Sequence, residues 1–228
     1  MSETLLKSDR PVTLIGAGAL DPAQLHLAQS FAPQLVAADG GARSALAAGQ
    51  VPDLVIGDFD SLDQATQSQI PADHLHRIED QDSTDFHKCL SRIAAPLVLA
   101  VGFTGGRMDH LLAVYNVLPR LADRPCIIIG PEDFGFLCPP QLELDLEPGT
   151  TVSLFPMGPC RVESTGLHWP TSGLDFAPNG QSGTSNRATG PITLQTAHSD
   201  ILVFLPISVI GPLIAALIAA PNWPNAKK

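Results

Sequence analysis

Through the first 130 positions, apolar residues come in short unbroken runs separated by stretches of helical spacing. VTLIG (12–16), LVAADGG (35–41), DLVIG (53–57), PLVLAVGF (96–103) and CIIIG (126–130) read as strands, with HLHRI (74–78) as a further one. Asp21-Pro22 gives a helix start with proline in the first turn, and an alanine-rich helix follows Gly41 to about Ala48. Residues 83–94 and 108–121 carry helical periodicity; in the second, Leu111, Val114, Tyr115, Leu118 and Leu121 share one face. Strands without polar alternation, separated by amphipathic helices, predict a Rossmann-like, largely parallel α/β sheet with helices on both faces.

The pattern changes after Pro131. QLELDL, TVSLFP, CRVEST, ITLQT and ILVFL are short strand candidates divided by Gly, Pro, Ser and Asn, the texture of an antiparallel β-sandwich. The expected organisation is an α/β domain over 1–132 and a β-sandwich over 133–228. The most apolar stretch, 207–220, is too short to span a bilayer and contains Gly211-Pro212. It reads as a terminal helix packed on the body or on a partner subunit, with no membrane role.

Composition narrows the classes. A chain of 228 residues with 44% hydrophobic and 16% charged residues is globular. A net charge of −10 argues against a nucleic-acid partner but not against a phosphate ligand, since metal ions and backbone amides offset charge locally. Four cysteines without CxxC spacing, and no secretory signal at the start, predict a cytoplasmic protein with free thiols.

Ligands of open α/β sheets bind beyond the carboxyl ends of the strands, and the polar signatures of this chain fall there. Asp39-Gly40-Gly41 follows the second strand. Asp58 and Asp60 end the third, one residue apart, so both carboxylates are expected to emerge on one face from the end of a buried strand and to suit a hard divalent cation. Asp82 and Asp85 lie one helical turn apart, with Lys88 a further turn on, offering carboxylates to a metal and an ammonium to a phosphoryl oxygen. Gly105, Gly106 and Arg107, with Asp109, follow the fifth strand; glycine lets the backbone approach a phosphate and arginine grips one with a fork of donors. Each signature alone is matched by a bland reading: an acidic turn, a helix cap at Asp82 or Ser83, or a local Arg107–Asp109 ion pair. Gly16-Ala17-Gly18 lacks the third glycine of a dinucleotide fingerprint, so a nicotinamide-dependent oxidoreductase is disfavoured.

DGGAR (39–43), PDLVIGDFDS (52–61), DQDSTDFHKCL (80–90) and GFTGGRMDH (102–110), in this order and spacing, resemble the thiamine pyrophosphokinase family. GLHW (166–169) and TSN (184–186) extend the likeness into the second half. The resemblance implies transfer of diphosphate from ATP to the hydroxyethyl group of thiamine, giving thiamine diphosphate and AMP. It also implies a homodimer whose sites lie between the α/β domain of one chain and the sandwich of the other. Carried over by motif, Asp58, Asp60 and Asp85 are magnesium ligands, and Asp82 and Lys88 join them in catalysis. Asp39, Gly40, Gly41, Arg43, Gly105, Gly106, Arg107 and Asp109 line the ATP site, and Ser185 and Asn186 face thiamine. The family's tryptophan near the chain end is not matched: the segment reads ILVFLP, leaving Phe204 as a substitute, and Trp169 reads as core or rim. Diphosphate transfer to a related alcohol, and a non-catalytic nucleotide or thiamine binder, are the alternatives.

Overall fold

The computed structural model describes residues 3–80 and 82–224. Gln81 of the acidic block, Met1 and Ser2, and residues 225–228 of the tail lie outside the described residues. The chain divides into two compact units, residues 1–117 with 128–131, and residues 118–127 with 132–228.

The first unit contains β1 (Leu6–Lys7), β2 (Val12–Ile15), α1 (Pro22–Phe31), β3 (Gln34–Ala38), α2 (Gly41–Ala47), β4 (Leu54–Gly57), α3 (Gln64–Gln67), β5 (Leu75–Arg77), α4 (Asp85–Leu90), β6 (Ile93–Ala94) and β7 (Val98–Val101). α5 (Met108–Arg120) and β8 (Cys126–Ile129) cross the division. Strands β7-β2-β3-β4-β5 pair in that order, all parallel, with Leu14 opposite both Val36 and Ala100. Every residue of β2, β4 and β7 is buried, as the unbroken apolar runs require. The one polar residue in β2, Thr13, is wholly buried and donates to the Ala32 carbonyl just past α1 (2.6 Å). α1 starts where its sequence says it should: Asp21 accepts from Ala23 N–H, and Gln24 accepts from Asp21 N–H.

Two local expectations are corrected. The helix expected over 83–94 is only α4, capped by Thr84, whose hydroxyl accepts from His87 N–H. Ile93 and Ala94 instead pair in parallel with Leu6 and Lys7, a partner that the helical spacing could not reveal. β4 stops at Gly57, and Phe59 takes a left-handed backbone (φ 67°), so Asp58 and Asp60 sit on a turn and not on a strand.

The second unit contains β9 (Asp133–Leu137), β10 (Gln141–Leu144), β11 (Thr151–Pro156), β12 (Glu163–Leu167), β13 (Thr184–Gln195), β14 (Ile201–Pro206) and α6 (Ile210–Ala219). The pairings among these strands are antiparallel. The amino-terminal part of β13 joins the ladder β13-β11-β14-β9, and its carboxyl-terminal part lies between β10 and β12. β13 begins well before the ITLQT run because its early inward positions are Asn186 and Ala188, which carry no apolar signature. In α6, Gly211-Pro212 occupies the first turn, where proline costs no helical hydrogen bond. The helix buries Ile210, Leu213, Ile214 and Leu217 and packs on β10. Among the described residues no helix is long and apolar enough to cross a membrane. All four cysteines are free and buried.

Candidate active site

Two close backbone approaches shape the carboxyl edge of the parallel sheet. A Cβ on Gly41 would lie 2.2 Å from the Ile15 carbonyl oxygen, so only glycine lets α2 start against the end of β2. Gly16 and Gly18 meet Gly102 in the same way, and Gly18 N–H donates to the Gly102 carbonyl (2.8 Å). The glycines after β2 are thus used in packing the β7–α5 loop rather than in a dinucleotide fingerprint.

Between these loops opens a cleft of about 450 Å³. One part of its lining is polar or glycine: Asp39, Gly40, Ser61, Thr84, Asp85, Gly105, Gly106 and Arg107. Another part is apolar, with Phe86, Phe103, Ala113 and Val114 beside His110. Phe86 and Phe103 meet edge to face with centroids 4.9 Å apart. Sequence reasoning missed Phe86, Phe103, Thr84, Ser61 and His110 as lining residues, although each stands inside a quoted block. The volume is within the range of small-molecule sites.

The charged centre is Lys88. Its side chain is 3% exposed, and its Nζ donates to Asp58 Oδ2 (2.7 Å) and Asp85 Oδ1 (3.1 Å). Burial alone would depress the Lys88 pKa, but the two carboxylates outweigh it and hold the pKa above the ordinary value. The Lys88 hydrogen bond in turn holds Asp58 below the usual carboxylate range. Asp39 is the opposite case. It is buried, has a left-handed backbone (φ 42°), and its Oδ1 has no hydrogen-bond partner among the described residues, while Oδ2 accepts a long bond from Ser61 N–H (3.3 Å). Burial, followed by the charge of Asp85, pushes its pKa up.

The structure brings some of the expected residues together and not others. Asp58, Asp85 and Lys88 converge. Asp60 and Asp82 are exposed; Asp60 N–H bonds back to Asp58, and Asp82 N–H to Asp80. Among the described residues no group of three or more His, Cys, Asp or Glu side chains is arranged to hold a metal ion. Arg43 turns away to the Ser61 carbonyl (2.6 Å) and lies near Asp63. Gly105 and Gly106 have left-handed backbones (φ 79° and 76°) and line the cleft with Arg107. Arg107 makes a forked pair with Asp109 (3.1 and 2.6 Å), with both side chains exposed.

In the second unit, Ser185 and Asn186 are adjacent on β13 and therefore face opposite ways, Ser185 exposed and Asn186 buried. Asn186 Oδ1 accepts from Trp169 N–H (3.1 Å) and Arg187 N–H (2.9 Å), and its Nδ2 donates to the Trp169 carbonyl (2.7 Å). Trp169 is 54% exposed, so it is not a core residue. Phe204 lies in β14, opposite Ser153 and Gly135.

A parallel sheet with a glycine- and carboxylate-lined cleft at its carboxyl edge, followed by a unit whose strands pair antiparallel, defines a two-part α/β protein with its cleft where open sheets bind ligands. Residues 25–129 match the family described as thiamin pyrophosphokinase, catalytic domain, and residues 141–199 match thiamin pyrophosphokinase, vitamin B1 binding domain. The chain belongs to the thiamin pyrophosphokinase family. It is 29% identical over 171 residues to thiamine pyrophosphokinase 1 of Oryza sativa subsp. japonica, a match covering 66% of this chain and 64% of the relative's length. The fold resembles thiamin pyrophosphokinase from Geobacillus thermodenitrificans, with TM-score 0.70 at 24% identity, covering 86% of this chain and 96% of the other. The yeast enzyme gives TM-score 0.69 at 19% identity, covering 95% and 94%.

Proposed function

We propose that this chain is a thiamine diphosphokinase, transferring diphosphate from ATP to the hydroxyethyl group of thiamine with release of AMP. The observation that carries this reading is the match of both halves of one family to the chain in order, with the Asp58–Lys88–Asp85 centre falling inside the catalytic match. The α/β unit is proposed to bind ATP, and the second unit, with its two ladders closed as a sandwich, to bind thiamine. We further propose a cytoplasmic homodimer with sites formed between chains.

Magnesium fits the donor set. The candidates Asp58, Asp60 and Asp85 offer only carboxylate oxygens, two of which already converge on a cation, and a hard divalent ion commonly takes one or two carboxylates plus phosphate. When bound, the ion would neutralise charge on the phosphates. In this proposal the chain's own residues supply the positioning. Lys88 holds the Asp58 and Asp85 carboxylates together and shares its ammonium with a phosphoryl oxygen. Gly40, Gly41, Gly105 and Gly106 leave backbone close to the phosphates, and Arg107 exchanges Asp109 for a phosphate oxygen. Asp82 remains a helper at the rim, and Asp39 and Arg43 border the nucleotide. The hydroxyl of thiamine attacks the β-phosphorus and gives its proton to one aspartate of the Asp58, Asp60, Asp82 and Asp85 set, the bond from the β-phosphorus to the oxygen bridging α and β breaks, and that oxygen leaves with AMP.

The test is AMP release from ATP with thiamine and magnesium, comparing wild type with Asp60→Asn and Asp85→Asn. AMP formed in step with thiamine diphosphate, and lost in both variants, supports reaction and site. ATP binding without AMP release removes thiamine as acceptor and directs the search to other alcohols.

A further inference from the structure

The turn after β4 is held more firmly from outside than from within. Its own hydrogen bonds are long: Asp60 N–H to Asp58 Oδ1 at 3.3 Å, and Leu62 N–H to the Phe59 carbonyl at 3.2 Å. Phe59 has a left-handed backbone (φ 67°), which a residue with a Cβ keeps only where its surroundings impose it. Those surroundings are the residues that follow β3. A Cβ on Gly57 would lie 2.7 Å from the Asp39 Cβ, and one on Gly40 would lie 3.4 Å from the Ser61 Cβ, so the two strand ends touch. Ser61 is then held at both of its backbone groups. Its N–H donates to Asp39 Oδ2 (3.3 Å), and its carbonyl accepts from Arg43 Nη2 at 2.6 Å, the shortest of these bonds and the one assisted by charge. The same guanidinium lies 3.9 Å from Asp63, whose carboxylate caps α3 by accepting from Thr66 N–H (2.7 Å). Asp58, at the start of this turn, meets Lys88 at 2.7 Å. Asp39, Gly40 and Ser61 line the cleft, but Arg43 does not.

We infer that Arg43 is a positioning residue, acting through the Ser61 carbonyl to fix the turn that presents Asp58 and Asp60 rather than by touching the nucleotide. The inference rests on the diphosphokinase reading and reassigns one residue within it. By residue type, an arginine after a pair of glycines suits a phosphate, but this one already donates to a main-chain oxygen from outside the cleft. Carboxylates that share a divalent ion must arrive together, and a turn fixed before binding removes that ordering cost from the binding step. Groups that orient metal-binding side chains without touching the metal are worth about 10- to 100-fold in affinity or rate. Because the Arg43 side chain is exposed, its bond adds little to stability, and its effect falls on geometry.

The experiment pairs equilibrium binding of ATP, measured without thiamine so that nothing turns over, with steady-state kinetics. In Arg43→Ala the Kd for ATP without metal should stay within about twofold of wild type, while the tightening that magnesium adds should shrink about tenfold and kcat should fall about 10- to 100-fold. The melting temperature should drop by less than about 3 °C, as for an exposed bond. Arg43→Lys, whose ammonium can still donate to one carbonyl, should recover kcat to within about fivefold of wild type. A metal-free Kd for ATP raised about tenfold overturns the inference and makes Arg43 a direct phosphate ligand. So does wild-type kcat in Arg43→Ala, or a loss of kcat accompanied by a large fall in melting temperature, which would make the bond a purely structural one. ATP affinity that magnesium leaves unchanged in the wild type overturns the inference together with the magnesium assignment. A wild type that makes no thiamine diphosphate sinks the diphosphokinase reading instead, and the split between metal-free and magnesium-bound ATP affinity still decides the role of Arg43.

Discussion

Lys88 with its two aspartates and Arg107 with Asp109 each set a cation against carboxylate, with Asp85 and Arg107 lining one cleft, yet their environments are opposite. The Lys88 side chain is 3% exposed and bridges Asp58 and Asp85, which belong to different elements. The Arg107–Asp109 fork joins residues two apart, with both side chains well exposed. In the first, water reaches the Lys88 ammonium poorly, so loss of a carboxylate partner leaves a buried charge underpaired. In the second, water and salt compete at every moment, and losing the pair strands no buried charge. Burial makes the lysine part of the architecture, and exposure keeps the arginine available.

The largest effect that tests this contrast is Lys88→Met. It should lower kcat by about 10²–10³-fold, the scale of losing one preorganised charge donor. It should also destabilise the fold by on the order of 2 kcal/mol in urea unfolding, below the figure for a fully buried pair because Asp85 is 40% exposed. Wild-type stability in Lys88→Met would erase the distinction. Arg107→Gln is next: the KM for ATP should rise roughly tenfold, as for a lost charge-assisted bond, while the melting temperature stays where it was. A lowered melting temperature would show that the exposed fork is structural after all.

The smallest effect belongs to Asp39, the buried carboxylate whose Oδ1 has no hydrogen-bond partner among the described residues. Its folded pKa lies above the ordinary 3.8, so the native state binds more protons than the unfolded chain as pH rises through that value, and stability falls across the window. Asp39→Asn should therefore melt higher than wild type at neutral pH, with the gain shrinking toward zero as pH falls below about 4. Equal melting at every pH would mean that Asp39 carries no burial penalty.

Much of the parallel sheet was legible because its strands are buried on both faces, and a run such as LVIG can satisfy that demand only as a central strand. The carboxyl-edge position of Asp39, Asp58 and the Gly105–Gly106 loop followed directly. The expectation failed where partners came from far along the chain. Ile93 and Ala94 left their helical pattern because Leu6 and Lys7 offered a ladder. The early half of β13 was invisible because Asn186 and Ala188 take its inward places.

The sequence by itself determined the main strands and helices of the α/β half, the acidic and glycine-rich blocks at the strand ends, and the family to which the chain belongs. These depend on local periodicity and on residue types at fixed spacing. Only the tertiary structure decided which charges meet. It gave Asp58 and Asp85 to Lys88 while leaving Asp60 at the surface, and it turned Asn186 toward the Trp169 backbone. Contacts of this kind join residues from separate elements, and their geometry depends on where β4 stops, on the left-handed turn at Phe59 and on the face β13 buries. No local pattern encodes those choices, because packing across elements selects among conformations that each segment alone would leave open.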